Sequence, residues 1–275
     1  MRLGRVLAGA ILVCFSLFFT SHATGLVLAA TKSTAQLNQR DGEQPWSVGS
    51  FEQLAANWNG LVEFQHGIIW TWLGNSVLYV GLALVLTLVV TIPAGYALAM
   101  SPFRFRRALL VATLLTMLIP NTALVLPIFL ELAAIRLIGT PLAVILPFSF
   151  FPFGIYLTYI YFSTSISHDL LDAARIDGAG EIRVFASIAL PLATPVIALV
   201  GFFNVVANWN NYFLPFVTQP GSTRMPVQVG LAELLSVSNP QLAIAILIAA
   251  GPVLVVFLFS QRFLVSGSMA GATKE

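Results

Sequence analysis

Residues 168–191 read HDLLDAARIDGAGEIRVFASIALP, a polar stretch that interrupts an otherwise apolar chain. It holds four acidic and two basic residues, and so many charges cannot lie in the hydrocarbon core of a membrane. We predict that Asp169 caps a first short helix, that Asp172 is its third residue, and that Gly178 is the left-handed residue that ends it. A second helix is predicted to follow and to stop just before Pro191.

The residues alone leave the role of this helix–Gly–helix element open. Ala173 and Ala174 give the first helix a flat surface of small side chains, and such a surface lets another backbone come close. One interpretation is therefore a docking element for a soluble subunit, and the other is an ordinary connecting loop.

Apolar stretches flank the polar segment on both sides. Hydrophobic residues make up 58% of the 275 residues and charged residues only 9%, whereas soluble domains carry about a quarter charged residues. Six stretches reach the roughly 20 residues that a spanning helix needs. They are residues 6–30, 69–100, 108–130, 141–163, 192–217 and 242–263. The sequence therefore predicts an all-α membrane protein with six transmembrane helices.

The ends of the chain bear on its topology. Arg2 and Arg5 before an apolar run also describe a secretory signal peptide, but the length of the run favours a retained helix. If the N-terminus is cytoplasmic, most of the 13 Lys and Arg residues are cytoplasmic too, as the positive-inside rule requires. Both termini of this multi-pass chain are therefore predicted to lie in the cytoplasm.

We divide the chain into three parts. Residues 1–68 hold the first helix and an extracytoplasmic segment, residues 69–265 form the transmembrane core, and residues 266–275 form a cytoplasmic tail. In the extracytoplasmic segment, apolar residues are spaced like one face of a helix, at positions 51, 54, 58 and 61. They predict a short helix on the outer membrane surface, or else a covering loop without a partner.

The polar stretch resembles the "EAA" motif of permease subunits of ATP-binding-cassette importers. That motif reads Glu-Ala-Ala, three residues, Gly, nine residues, Ile, one residue, Leu-Pro. Every spacing is met, and the one departure is an Asp in place of the family's Glu; the matching residues are Asp172, Ala173, Ala174, Gly178, Ile188, Leu190 and Pro191. The resemblance implies that these residues, with Asp177, dock the segment onto ATPase subunits.

From about Trp70 onward the chain is similar to carbohydrate-uptake permeases, in particular the maltose-type second permease subunit. The matching segments are Asn75-Ser76, Phe103-Arg104-Phe105-Arg106, Asn208-Trp209-Asn210, Gln261-Arg262-Phe263 and Gly271-Ala272. The resemblance implies a type I ABC importer permease fold with a short cytoplasmic coupling helix, in the inner (cytoplasmic) membrane. It also implies a function in the ATP-driven, binding-protein-dependent import of a sugar or sugar derivative.

The resemblance implies partners as well. They are a second permease subunit, two ATP-binding-cassette ATPase subunits, an extracytoplasmic solute-binding protein and membrane lipid, with no nucleic acid. The chain has no Gly-x-x-x-x-Gly-Lys phosphate loop, since neither Lys32 nor Lys274 follows such a run. We therefore expect no cofactor on this chain, no enzymatic activity of its own, and ATP and Mg in the partner subunits.

The fifth predicted span is unusually rich in side-chain amides. Amides and an aromatic ring suit sugar hydroxyls and the apolar face of a sugar ring, and polar residues in a span are costly unless satisfied. The candidates for the substrate path are Asn204, Asn208, Trp209, Asn210 and Asn211. Hydrogen bonding between helices is the alternative interpretation of these residues.

Three other functions compete with this one. A secondary transporter would place ionisable residues within its spans, but no Asp or Glu falls in the six stretches. An intramembrane enzyme would need a nucleophile with a base or a metal set; the single Cys14 and the three scattered histidines predict neither, so no catalytic or metal residue is assigned. A permease of the same class for a phosphate ester, amino acid or peptide stays open.

Overall fold

The computed structural model describes residues 2–38, 46–235 and 239–269, and among these residues it contains helices and no strand. The α-helices are α1 Arg2–Ala30, α2 Thr34–Asn38, α3 Phe51–Glu63, α4 Ile68–Met100, α5 Arg106–Met117, α6 Asn121–Ala134, α7 Leu142–Ser149, α8 Pro152–Ser165, α9 His168–Ile176, α10 Glu181–Val184, α11 Leu190–Leu192, α12 Thr194–Trp209, α13 Phe213–Thr218, α14 Val227–Leu234 and α15 Asn239–Met269. Gly271 and Ala272 lie outside the described residues.

The predicted spans appear in the predicted order. Four candidate spans are long enough to cross a membrane, namely Val6–Ala30, Ile68–Met100, Leu142–Ser165 and Asn239–Phe263, and the third of these is interrupted at residues 150 and 151, between α7 and α8. Two more are bent pairs: α5 with α6 at 104°, and Glu181–Leu192 with α12 at 74°. Counting each bent pair as one span gives six, which confirms the predicted all-α membrane architecture.

Two other spans that we predicted as single helices are also broken. Residues 108–130 divide at Pro120, because proline has no N–H to donate and pushes the preceding residue out of the helical region. In residues 192–217, α12 ends at Trp209 and α13 begins at Phe213. The ring of Pro215 explains this second break, since it would clash with the carbonyl of Asn211 in a continuous helix.

The centre of the bundle is the crossing of α4 and α8. A Cβ at Gly95 of α4 would overlap the side chain of Thr158 on α8, and a Cβ at Gly154 of α8 would come within 3.0 Å of the side chain of Thr91 on α4. Small residues at such a crossing let two helix backbones come close, which is how helices pack where lipid provides no hydrophobic drive. The sequence at these two positions therefore fixes how spans two and four meet.

The short helix predicted around residues 51–61 is present as α3, whose N-cap Ser50 accepts a hydrogen bond from the Gln53 N–H. Its place on the outer membrane surface stays a prediction. Of its apolar face, Leu61 is buried while Phe51 is 84% exposed, and the polar Asn57 is buried too. The Asn57 amide donates to the carbonyls of Ala30 and Lys32 at 2.8 and 2.9 Å. Carbonyls at the end of a helix have no partner within that helix, so this polar side chain lies inward and donates to them.

Candidate functional site

The first helix of the 168–191 segment starts two residues earlier than predicted. Its N-cap is Ser167, whose Oγ accepts from the Asp169 N–H, so Asp169 lies in the first turn and is not the cap. Asp172 is consequently the fifth helical residue and not the third. Ser and Asp both cap helices well, and the residues alone could not decide between them.

The end of α9 follows the prediction closely. Gly178 has a φ of 83°, the left-handed conformation that we predicted from the sequence. Its N–H bonds to the Arg175 carbonyl and the next N–H, of Ala179, bonds to the Ala174 carbonyl. This pair of bonds is a Schellman motif, which satisfies the last carbonyls of the helix and turns the chain sharply.

A cluster of three charged side chains, which we call the clasp, holds the two halves of the segment together. Arg175 bonds to Asp172 Oδ1 at 2.6 Å, and it grips both carboxylate oxygens of Glu181 at 2.8 and 3.1 Å. The hydrogen bond from Arg175 lowers the pKa of Glu181 below its usual value, and the two carboxylates raise the pKa of Arg175. The clasp fixes the angle between α9 and α10.

The second half of the segment does not stop before Pro191 as predicted. After α10 the chain makes a π turn over Phe185–Ala189 and remains helical through Leu192, and the 74° bend follows at Ala193. Pro191, the second residue of α11, has no N–H to donate to the preceding turn, and the helical stretch ends one residue after it.

The predicted docking residues divide into two sets. Four of them are exposed on the tip of the segment, namely Asp172, Ala173, Asp177 and Gly178. Three others, Ala174, Ile188 and Leu190, pack against a cluster of buried apolar residues that includes Phe162 and Leu171. Pro191 is also exposed. The tip in addition presents two bare apolar side chains that we did not single out, Ile176 at 86% exposure and Ile182 at 85%. The apolar residues on either side of a turn glycine were the signal for them.

The amide-rich fifth span lies beside the break in span four. In a continuous helix the N–H at position 152 would donate to the carbonyl of Phe148, but Pro152 has no N–H. Asn208 and Asn204 donate to that carbonyl instead, at 2.9 and 3.4 Å, and the hydroxyl of Thr87 donates to the carbonyl of Ser149 at 3.1 Å. These side chains provide hydrogen bonds to the carbonyls that the break leaves without a helical partner, as prolines within spans require.

The five predicted path residues do not share one environment. Asn204 is fully buried and Trp209 is buried with its Nε1 donating to the Ala249 carbonyl at 3.0 Å. Asn208 and Asn211 line a cavity of about 330 Å³ between the breaks of spans three and four. Asn210 lies on another face, at a cavity of about 750 Å³ that Trp209 also borders.

The smaller cavity contains further polar and aromatic groups that the sequence did not point to. Asn121 reaches it because the break at Pro120 starts α6 there, and Phe150 and Phe151 reach it from the break in span four. Two helix breaks therefore face each other across the cavity. The prolines in the sequence could have indicated that these spans break. A proline alone, however, does not indicate which side of the helix faces a cavity.

Comparison with known proteins decides the family. Residues 91–267 match the family model described as "Binding-protein-dependent transport system inner membrane component". The chain belongs to this family. It is thus an inner-membrane permease subunit that works with the other components of an ABC importer, including an ATPase and a binding protein.

Individual relatives cover most of the permease. It is 32% identical to the arabinooligosaccharides transport system permease protein AraQ of Halalkalibacterium halodurans, over 76% of this chain and 75% of that protein. It is 32% identical to the maltodextrin transport system permease protein MdxG of Bacillus subtilis, over 86% and 84%. It is 29% identical to the diacetylchitobiose uptake system permease protein NgcG of Streptomyces coelicolor, over 96% and 87%.

A solved structure gives the same fold. A chain of a bacterial ABC transporter involved in the import of the acidic polysaccharide alginate superposes with a TM-score of 0.80, covering 95% of the permease and 96% of that chain at 24% identity. The permease therefore has the ABC importer permease fold that its sequence predicts.

Proposed function

We propose that the permease imports an oligosaccharide or sugar derivative. The single observation that supports this cargo is the group of relatives above, whose names all specify oligosaccharide uptake and which align over most of both chains. The working complex would contain a second permease subunit, two ATPase subunits that bind ATP and Mg, and an extracytoplasmic solute-binding protein. The permease itself would carry out no chemistry.

We propose that the 168–191 segment docks onto an ATPase subunit. Its tip carries the bare apolar side chains of Ile176 and Ile182 beside exposed carboxylates, a combination typical of a protein interface and costly in water. The clasp and the Schellman turn give this tip one shape before any partner binds. The ATPases would then lie on the cytoplasmic side together with both termini of the permease.

We propose that the cavity between the breaks of spans three and four belongs to the sugar path. Asn208, Asn211 and Asn121 offer amides there, and the rings of Phe150 and Phe151 offer apolar faces. Carbohydrate recognition uses this pairing of polar and aromatic groups. Asn204 and Trp209 are buried and make hydrogen bonds between helices, which supports the alternative interpretation for those two residues. Asn208 makes such a bond as well, but it also lines the cavity.

The test of the cargo starts from the permease purified with its native partners. The co-purifying binding protein is screened against arabino-, malto- and chito-oligosaccharides, with a phosphate ester and an amino acid as competing classes. We expect an oligosaccharide to bind and to enter proteoliposomes only when ATP is supplied. Uptake of the phosphate ester or amino acid alone would overturn the proposed cargo while leaving the family assignment intact.

A further inference from the structure

One aromatic ring joins the 168–191 segment to two membrane spans. Tyr96, near the inner end of α4, has its ring centroid 5.2 Å from that of Phe162 on α8 and 5.0 Å from that of Phe185. Phe185 is the first residue of the π turn. A displacement of the segment would therefore press on Tyr96 before it reached any other ring of span two.

The hydroxyl of Tyr96 is buried, with the residue 6% exposed, and among the described residues no hydrogen-bond partner lies within reach of it. Two other tyrosines of the bundle differ in this respect. The hydroxyl of Tyr79 donates to the Arg224 carbonyl at 2.9 Å, and that of Tyr161 donates to the Leu192 carbonyl at 2.7 Å. An unpaired buried hydroxyl costs free energy, and a phenylalanine would fill the same space without that cost.

Tyr96 contacts a part of the chain where the helix is irregular. π turns interrupt the regular hydrogen bonding of a helix and are frequent at functional sites, and this one lies directly before the 74° bend at Ala193. The permease of an ATP-driven importer must pass between two conformations, and a conformation is favoured only by contacts that differ between them. A hydroxyl without a partner in one conformation is a group that can gain one in the other.

We propose that Tyr96 is a positioning residue of the transport cycle whose hydroxyl is unpaired in this conformation and hydrogen-bonded in the opposite one. Its ring transmits the movement of Phe185 to spans two and four, and its hydroxyl favours the conformation in which the segment has moved. The inference rests on the proposed docking of the 168–191 segment onto an ATPase.

The test is Tyr96→Phe in the full complex reconstituted in proteoliposomes, with Tyr161→Phe as the matched control. Tyr96→Phe should leave subunit association unchanged and should leave the thermal stability of the resting complex equal or higher. Turnover in ATP-driven uptake should fall about tenfold, because the opposite conformation loses a buried hydrogen bond. Tyr161→Phe removes a bond that is made here, so it should lower the thermal stability of the resting complex.

Two results with Tyr96→Phe would overturn the inference and leave the proposed function standing. If Tyr96→Phe transports at the rate of the unaltered permease, the hydroxyl has no role in the cycle and only the ring matters. If Tyr96→Phe lowers the thermal stability of the resting complex, the hydroxyl is already bonded in that conformation. If the unaltered complex itself shows no ATP-dependent uptake, the proposed function fails and the inference fails with it, which separates the two cases.

Discussion

Two bends of the permease, the break in span four and the turn of the 168–191 segment, are stabilised in opposite ways. At the break in span four, the freed carbonyls of Phe148 and Ser149 accept hydrogen bonds from side chains on two other spans, α4 and α12. In the 168–191 segment, the clasp pairs Arg175 only with Asp172 and Glu181 of the same segment, and both carboxylates are more than half exposed.

This difference distinguishes the helices around the span-four break, which we expect to move together, from the 168–191 segment, which can move relative to them. A bend that is tied to its neighbours can move only with them, so α4, α7 and α12 act as one body. The 168–191 segment is held by ion pairs within itself, so it can keep its shape while it shifts. It contacts the bundle mainly through the apolar side chains of Leu171, Val184 and Phe185. Apolar contacts have no fixed direction and tolerate sliding better than hydrogen bonds do.

The largest effect on uptake is expected from Gly178→Val, which disrupts the turn within the 168–191 segment. A Cβ at this position would meet no atom within 4 Å, so the cost comes from the left-handed backbone alone, on the order of 1–3 kcal/mol. The Schellman turn should open and the tip should lose its geometry. ATP-driven uptake should be abolished while the permease still inserts and assembles with its sister subunit.

Gly180→Ala is the matched control, because Gly180 has a φ of −70° and a Cβ there would also meet nothing within 4 Å. It should transport normally. Normal uptake by Gly178→Val in the same assay would show that the shape of the tip does not matter, and would count against docking.

A smaller effect is expected from Asn208→Ala, which loosens the bend that is tied to its neighbours. The Phe148 carbonyl would keep only the long bond from Asn204, and a hydrogen bond between membrane helices contributes about 0.6–2 kcal/mol. Uptake should fall several-fold, and more than ATPase co-purification does. Asn210→Ala is the control, since the Asn210 side chain donates only to Val206 on its own helix.

Equal losses of uptake and of ATPase co-purification in Asn208→Ala would contradict the division into two bodies. So would a normal uptake rate, because the amide both holds the break and lines the cavity. An effect of Asn210→Ala as large as that of Asn208→Ala would show that the larger cavity matters as much as the smaller one.

The sequence predicted the parts of this comparison that depend on local chemistry. Long apolar runs identified the spans, and the position of Gly178 identified the left-handed turn. The helix breaks at Pro120 and after Trp209 were not predicted, because a proline inside a span is tolerated whenever other groups satisfy the freed carbonyls. Which groups do so depends on the packing of distant helices, and the pairing of Asn208 with Phe148 appears only in the folded chain.

The candidate site was predictable to a similar degree. The spacing from Asp172 to Pro191 identified the segment, but not that Ile188 and Leu190 point inward while Ile176 and Ile182 are bare. The contact of Tyr96 with Phe185 was also beyond prediction, since it joins residues that are far apart in the sequence.

The smallest effect is expected from Glu181→Gln, which removes one charge from the clasp and keeps the size of the side chain. Exposed ion pairs are typically worth only about 0.2–1 kcal/mol, so folding should be nearly unchanged. Because the pKa of Glu181 is lowered in the folded chain, its contribution is complete above the ordinary carboxyl pKa of about 4.3 and is lost only as the pH falls through the lowered value. Protease protection of the segment should therefore be constant from about pH 5 to 8 in the unaltered permease, and modestly reduced in Glu181→Gln across that whole range. A loss of protection in the unaltered chain between pH 5 and 8 would mean that the clasp does not hold the segment, and the contrast between the two bends would then rest on the span-four break alone.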